Sequence, residues 1–265
     1  MSEQMNSYRP LESRVAVVTG ASRRSGIGYA LARKLGMMGA NLYLQGWRAH
    51  DGEWPWGEDP DGAQKLAEDL RRETGSRVEY VEADFEDPHA PGNVIQGAVQ
   101  TYGHVDELVV NHARNGEGDI GTLTAAEIDS HLAVGVRATM LLMQAFALQH
   151  DGRAGGRVVL FTSGQHLGPM PGELDYAVAK GAVHQMTLSF AHALIRRGIT
   201  LNTVNPGPTE NGAYTQETIE AGLPFMPQGR WGQPEDVARL VGWLCTDDAG
   251  WVVGQVINSE GGFRM

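Results

Sequence analysis

Cysteine is almost missing: the 265-residue chain has one, Cys245, so no disulfide within the chain can hold the fold and a packed core must do so. Its setting, Val-Gly-Trp-Leu-Cys, reads as a buried apolar helix position and points to a reducing, cytoplasmic compartment. Positive charge is also scarce. With 21 Lys and Arg against 32 Asp and Glu, the formal net charge is -11, which argues against a nucleic-acid surface but leaves room for a local basic pocket that takes a phosphate. No unbroken apolar run approaches the ~20 residues needed to span a bilayer, and the start, Met1 to Arg14, lacks the apolar core of a secretory signal, so no membrane partner is expected. None of the nine histidines forms a compact ligand pattern with acids or with Cys245, so no metal is expected either. Repeats, linkers and low-complexity tracts are absent. The reading is one domain over 1–265.

Glycine is plentiful, with 35 residues, and so is alternation. Val15–Val18 is a short β-rich run, followed by a glycine turn and a helix over Tyr29–Leu35. The pattern continues with strand Asn41–Gln45, helix Gly62–Glu73, strand Arg77–Glu82, helix Gly92–Tyr102 and strand Val105–Val110. One long helical pattern runs from Leu123 to Gln149. It is followed by strand Arg157–Thr162, helix Leu174–Arg196, strand Ile199–Asn205, helix Pro234–Thr246 and a closing strand at Gln255–Ile257. The stretch 206–232, rich in Pro and Gly, reads as a substrate loop with room for a short helix. Such alternation predicts an α/β fold of Rossmann type, a doubly wound parallel sheet of about seven strands with helices on both faces.

Between the first strand and the first helix lies Thr19-Gly20-Ala-Ser22-Arg23-Arg24-Ser-Gly26-Ile27-Gly28, where backbone amides and the positive helix end can hold a pyrophosphate. Arg48 follows the second strand, where an acid would hold ribose hydroxyls and an arginine would instead pair with a 2′-phosphate. Together with Arg23 and Arg24 it favours NADP. Asp51 keeps NAD open. Further on, Tyr176-Ala-Val-Ala-Lys180 puts a phenol and an ammonium one helical turn apart, with the Ser163 hydroxyl thirteen positions upstream. A free tyrosine titrates near ~10, and a nearby cation lowers that value toward a useful acid strength. These groups suit protonation of a carbonyl oxygen.

With these motifs in one register, the chain resembles the short-chain dehydrogenase/reductase family from Val15 to Phe263. The resemblance implies that the glycine loop, Gly20 to Gly28, holds cofactor phosphates, that Asp84 and Phe85 flank the adenine, and that Asn111 and Ala113 lie beside the cofactor. It implies catalysis by Ser163, Tyr176 and Lys180, with Tyr176 and Lys180 also touching the cofactor. Pro206, Gly207 and Thr209 match the family turn at the nicotinamide amide, and Gly254–Gly262 its closing strand and tail. Four departures stand out. The glycine loop is two residues longer than usual, as in related enoyl-acyl-carrier reductases, although those enzymes space Tyr and Lys further apart. Asn111-His112-Ala113-Arg114 replaces Asn-Asn-Ala-Gly. Gly135 stands where an asparagine orders a water beneath the lysine, and Asn211 stands near a usual threonine. A 3-oxoacyl-carrier-protein reductase is the first specific expectation, with a sugar, polyol or steroid alcohol dehydrogenase behind it and a non-catalytic NADP sensor as the competing class. By resemblance the chain is a homotetramer pairing the helices at 123–149 and 174–196. His166 reads as a surface residue or a substrate contact, and Trp47–Trp56 as a lid or an aromatic surface extension.

Overall fold

In the computed structural model, residues 9–263 are described; Met1–Tyr8 of the polar start, and the last two residues of the 1–265 domain, lie outside them. Seven strands form one parallel sheet in the order β3-β2-β1-β4-β5-β6-β7. They are β1 (Val15–Thr19), β2 (Asn41–Gly46), β3 (Val78–Glu82), β4 (Glu107–Val110), β5 (Gly156–Phe161), β6 (Ile199–Asn205) and β7 (Val256–Asn258). Nine α-helices are found among the described residues: α1 (Ile27–Met37), α2 (Arg48–Gly52), α3 (Gly62–Thr74), α4 (Ala90–Tyr102), α5 (Ala125–His131), α6 (Ala138–Gln149), α7 (Leu174–Ile195), α8 (Gln216–Gly222) and α9 (Pro234–Leu244).

Parallel strands require crossovers, and crossover helices cover both faces, so the inner strands are apolar throughout. Every residue of β1 is buried. Its alternation splits the core in two: Ala16 and Val18 pack with Leu31, Leu35, Leu66, Leu70, Val241 and Leu244 from α1, α3 and α9. Val15 and Val17 pack with Ile95, Leu142, Phe146 and Leu194 from α4, α6 and α7. The chain winds outward from β1 to β3, returns to place β4 beside β1 in register Val18↔Val109, and then winds the other way. The reversal leaves a crevice at the carboxyl ends of β1 and β4, where the helices diverge.

Beyond shifts of a residue or two at element ends, three differences from the sequence reading have physical content. β4 starts at Glu107 because the Gln149 side-chain amide takes Val105 out of the ladder, accepting from its N–H at 3.1 Å and donating to its carbonyl at 2.8 Å. The long helix is not uniform: α5, capped by Thr124, passes through a π turn at Leu132–Arg137 before α6. Contrary to the expected absence of a spanning run, Ala125–Gln149 is long and apolar enough by length and composition to cross a bilayer, with a mean hydropathy of 1.4. Its face Leu142, Met143 and Phe146 is buried in the core. The third difference is α2, a helix of five residues in the segment read as a lid or an aromatic surface extension.

Candidate active site

A cavity of about 530 Å³ occupies the crevice, a size that suits a cofactor. Gly20, Ser22, Arg23, Gly26 and Ile27 line it from the loop after β1, Asp84 and Phe85 from beyond β3, and Asn111 and Ala113 from beyond β4. Tyr176 and Lys180 line it from α7, and Pro206 from beyond β6. Residues far apart in sequence therefore meet at one site.

The loop is built for close approach. Gly20 has φ +68°, and a Cβ there would lie 2.9 Å from Asn111 Nδ2 and from the His112 Cα. At Gly28 a Cβ would lie 2.0 Å from the Gly20 carbonyl oxygen, so only a hydrogen fits where the loop folds against α1. That helix has no side-chain cap at Gly26 and no acid in its first turn, leaving its first amides to an outside acceptor. The geometry fits a pyrophosphate. Asn111 Nδ2 donates to the carbonyls of Thr19 and Gly20 at 3.1 and 3.0 Å. Gln45 accepts from Gly20 N–H at 3.1 Å and donates to the Ala83 carbonyl at 2.7 Å, joining the loop after β1 to the segment beyond β3. Sequence reasoning missed Gln45; a polar residue at the carboxyl end of a β-rich run was the signal available.

Six expected site residues do not line the cavity. Arg24 turns to Asp59, Asp61 and Asp69. Arg48 is held by Glu82 at 2.5 Å and Glu58 at 3.4 Å, because the β3 end beside it presents a carboxylate. Gly28 supports the loop from behind. Gly207, at φ +65°, lies against Glu260, which a Cβ would strike at 2.5 Å, and Thr209 forms a bridge with Gly232. Ser163 lies beside the lining, with its side chain hydrogen-bonded to the Tyr176 phenol.

Arg23 is the cation that faces the cavity from the loop. Its guanidinium lies 5.3 Å from the Trp56 ring, Trp56 stacks on Trp54 at 4.9 Å, and Arg23 Nε is 3.3 Å from Asp51. The Ser22 hydroxyl donates to Asp51 at 2.5 Å. Burial still pushes the Asp51 carboxyl up, opposed by Ser22 and Arg23. The segment around α2 thus lines the Arg23 end of the cavity and is anchored by its aromatics.

At the other end, Lys180 is 6% exposed and its Nζ donates to the Phe161 carbonyl at 3.0 Å. No carboxylate pairs with it among the described residues, and burial alone lowers it to about 8. Tyr176 is pushed up to about 12 by burial, with the Ser163 hydrogen bond opposing. The expected acidification by Lys180 is therefore overridden: the ammonium is 5.7 Å from the ring centroid and turned to Phe161, while loss of water penalises the phenolate. Ser163 is extended backbone at the head of a short 3₁₀ turn, Gly164–His166. His166 Nδ1 is 3.1 Å from the Ser163 carbonyl, and its ring stands edge-on to His184 at 4.6 Å.

The departures acquire structure. Ser13 is the one non-glycine with positive φ among the described residues, so Arg114 needs no glycine backbone; its guanidinium reaches Glu86 and Glu127, each at 3.4 Å. Gly135 lies inside the π turn, and a Cβ there would be 3.2 Å from that of Ala179, so an asparagine would need α7 to give by a few tenths of an ångström. Asn211 lines the cavity, and its carbonyl is 3.5 Å from Arg23 Nη1.

The fold and site define a dinucleotide-binding oxidoreductase, and comparison with known proteins agrees. A family model described as enoyl-(acyl carrier protein) reductase matches residues 20–264. The chain is 36% identical to the uncharacterized oxidoreductase YjdA of Bacillus subtilis, covering 95% of this chain and 97% of that one. It is 32% identical to the hydroxynaphthalene reductase-like protein Arp2 of Metarhizium anisopliae, over 99% of each. Among solved structures, a short chain dehydrogenase from Burkholderia cenocepacia in complex with NADP superposes with a TM-score of 0.84 at 31% identity, covering 96% of this chain and 98% of that one. The chain belongs to the short-chain dehydrogenase/reductase family.

Proposed function

We propose that the chain is an NADPH-dependent reductase of a ketone or related carbonyl, reversible to the secondary alcohol. The observation that carries this is the convergence, on one cavity, of an uncapped helix end and the Tyr176 phenol backed by Ser163 and Lys180. Arg23 would hold the adenosine 2′-phosphate, Asn111, Ala113 and Asp84 would hold the body of the cofactor, and Pro206 would flank the nicotinamide; all five line the cavity. The bound nicotinamide supplies the hydride. Tyr176 holds the proton that passes to the carbonyl oxygen, and Ser163 orients that oxygen. Lys180, an ammonium at neutral pH, stabilises negative charge as it grows on the phenol. Buried at 6% exposure, this cation acts where screening by water is weak.

Tyr214 packs on Trp231 at 4.9 Å and is close enough to Tyr176 to raise its phenol electrostatically. Burial and the charges of Glu117 and Asp175 push Glu173 up. Concentrated negative charge beside Tyr176 favours a neutral, apolar ketone over a 3-oxoacyl thioester on a phosphate-bearing carrier. The outward side chains Leu148, Val178 and Leu188, 63–72% exposed on α6 and α7, support a homotetramer paired through these helices. The buried free thiol of Cys245 suits the cytoplasm. NADPH consumption against aromatic ketones, polyol-derived ketones and acetoacetyl thioesters tests the function. Oxidation on a ketone supports it, whereas tight NADPH binding with no turnover on any member favours a sensor.

A further inference from the structure

His112 stands where the chain leaves β4, is 9% exposed and lines the cavity. Its Nε2 lies 2.9 Å from the Val134 carbonyl and its Nδ1 2.8 Å from Thr19 Oγ1. A carbonyl only accepts, so Nε2 carries the proton, and Nδ1 accepts from the Thr19 hydroxyl. Thr19 Oγ1 in turn accepts from the amides of Asn111 and His112 at 3.1 and 3.3 Å. Phe85 packs on the ring at 4.4 Å. Burial, opposed by the Val134 bond and reinforced by the Lys180 charge, lowers the imidazole to about 3, so it is neutral across the working range.

Val134 belongs to the π turn, where the Ala138 N–H reaches back to the Ala133 carbonyl. Such turns leave the α pattern of hydrogen bonds and need partners from outside. The next residue, Gly135, abuts Ala179, and Ala179 precedes Lys180. One imidazole therefore joins the end of β1, the exit of β4 and the turn that packs on the lysine's helix.

We propose that His112 is a positioning residue that clamps the π turn against α7 and so fixes Lys180, a task that no side chain at Gly135 can perform. The proposal rests on the acid–base reading of Tyr176 and Lys180. It acts through geometry alone, since the imidazole neither gains nor loses a proton.

The test compares wild type with His112→Phe, which keeps the ring but removes both nitrogens, and His112→Gln, whose amide N–H occupies the place of Nε2. With the best ketone found, His112→Phe is expected to lower kcat by about tenfold or more through misplacement, with the NADPH KM changed less than about twofold. His112→Gln is expected to restore most of kcat. Wild-type kcat in His112→Phe, or equal losses in both variants, overturns the proposal. If His112→Phe does not fold, nitrogen-15 NMR of the wild-type imidazole decides: an Nε2–H tautomer unchanged from about pH 5 to 9 is expected, and an Nδ1–H tautomer or a titration in that range overturns it. Should Tyr176→Phe retain turnover, the acid–base reading itself fails, an outcome separable from any result at His112.

Discussion

Glu107 opens β4 with its side chain wholly buried, and neither carboxyl oxygen has a hydrogen-bond partner. Arg14 Nη1 approaches at 3.7 Å, too far to replace lost water. Burial, with Arg14 opposing, raises the carboxyl to about 8 from 4.5. The sign follows from proton counting. Between these values the unfolded chain releases the proton and the folded chain keeps it, so stability falls as pH rises, by about 1.4 kcal/mol per pH unit, and levels above the folded value. Over the full interval the loss is on the order of 5 kcal/mol, a large part of a typical folding free energy. Glu107→Gln mimics the protonated form and cannot titrate. Urea unfolding of both proteins from pH 5 to 9 is the assay, and other groups cancel in the difference. The variant should match wild type near pH 5 and gain on it steadily, by about 4 kcal/mol at pH 8. A difference that is flat with pH, or a variant less stable at pH 8, would refute the reasoning.

Arg23→Ala should weaken NADPH binding by about 10- to 100-fold, as expected for loss of a charge-assisted hydrogen bond, while Arg48→Ala leaves it within about twofold because Glu82 and Glu58 already hold that cation; titration of NADPH against NADH into each variant checks both. Gly28→Ala should cost at least about tenfold in NADPH affinity, since the added methyl displaces the Gly20 carbonyl; an unchanged Kd contradicts the cradle. With Lys180 lowered to about 8, kcat/KM for ketone reduction should fall above that pH as the ammonium is lost. A profile that holds to about 10 would mean an unperturbed lysine.

The fold was legible because the buried strands are short apolar runs separated by helical periods, and the order of alternation leaves few topologies. The glycine loop was legible for a similar reason, since its spacing and its place after β1 encode backbone that only glycine permits. Charged side chains were harder to place. Arg48 had the right position in sequence, but Glu82 arrives beside it from β3, a contact that no local pattern records. The depressed phenol expected from a lysine four residues on was likewise overturned by burial, which depends on everything packed above Tyr176. Gly135 read as a missing amide, whereas the structure shows a π turn pressed on Ala179 and held at Val134 by His112, 22 residues before it. Pairings across the sheet decide these cases, and the linear chain does not display them.

The central claim is that Tyr176 delivers the proton as hydride reaches a carbonyl carbon. Its most direct test is single-turnover transfer of deuterium from C4-deuterated NADPH to a ketone, comparing wild type with Tyr176→Phe at equal cofactor occupancy. The account predicts deuterium on the alcohol carbon in wild type, a fall of about 100-fold or more in the variant, and nearly equal NADPH affinity in the two. Transfer at the wild-type rate in Tyr176→Phe would contradict it.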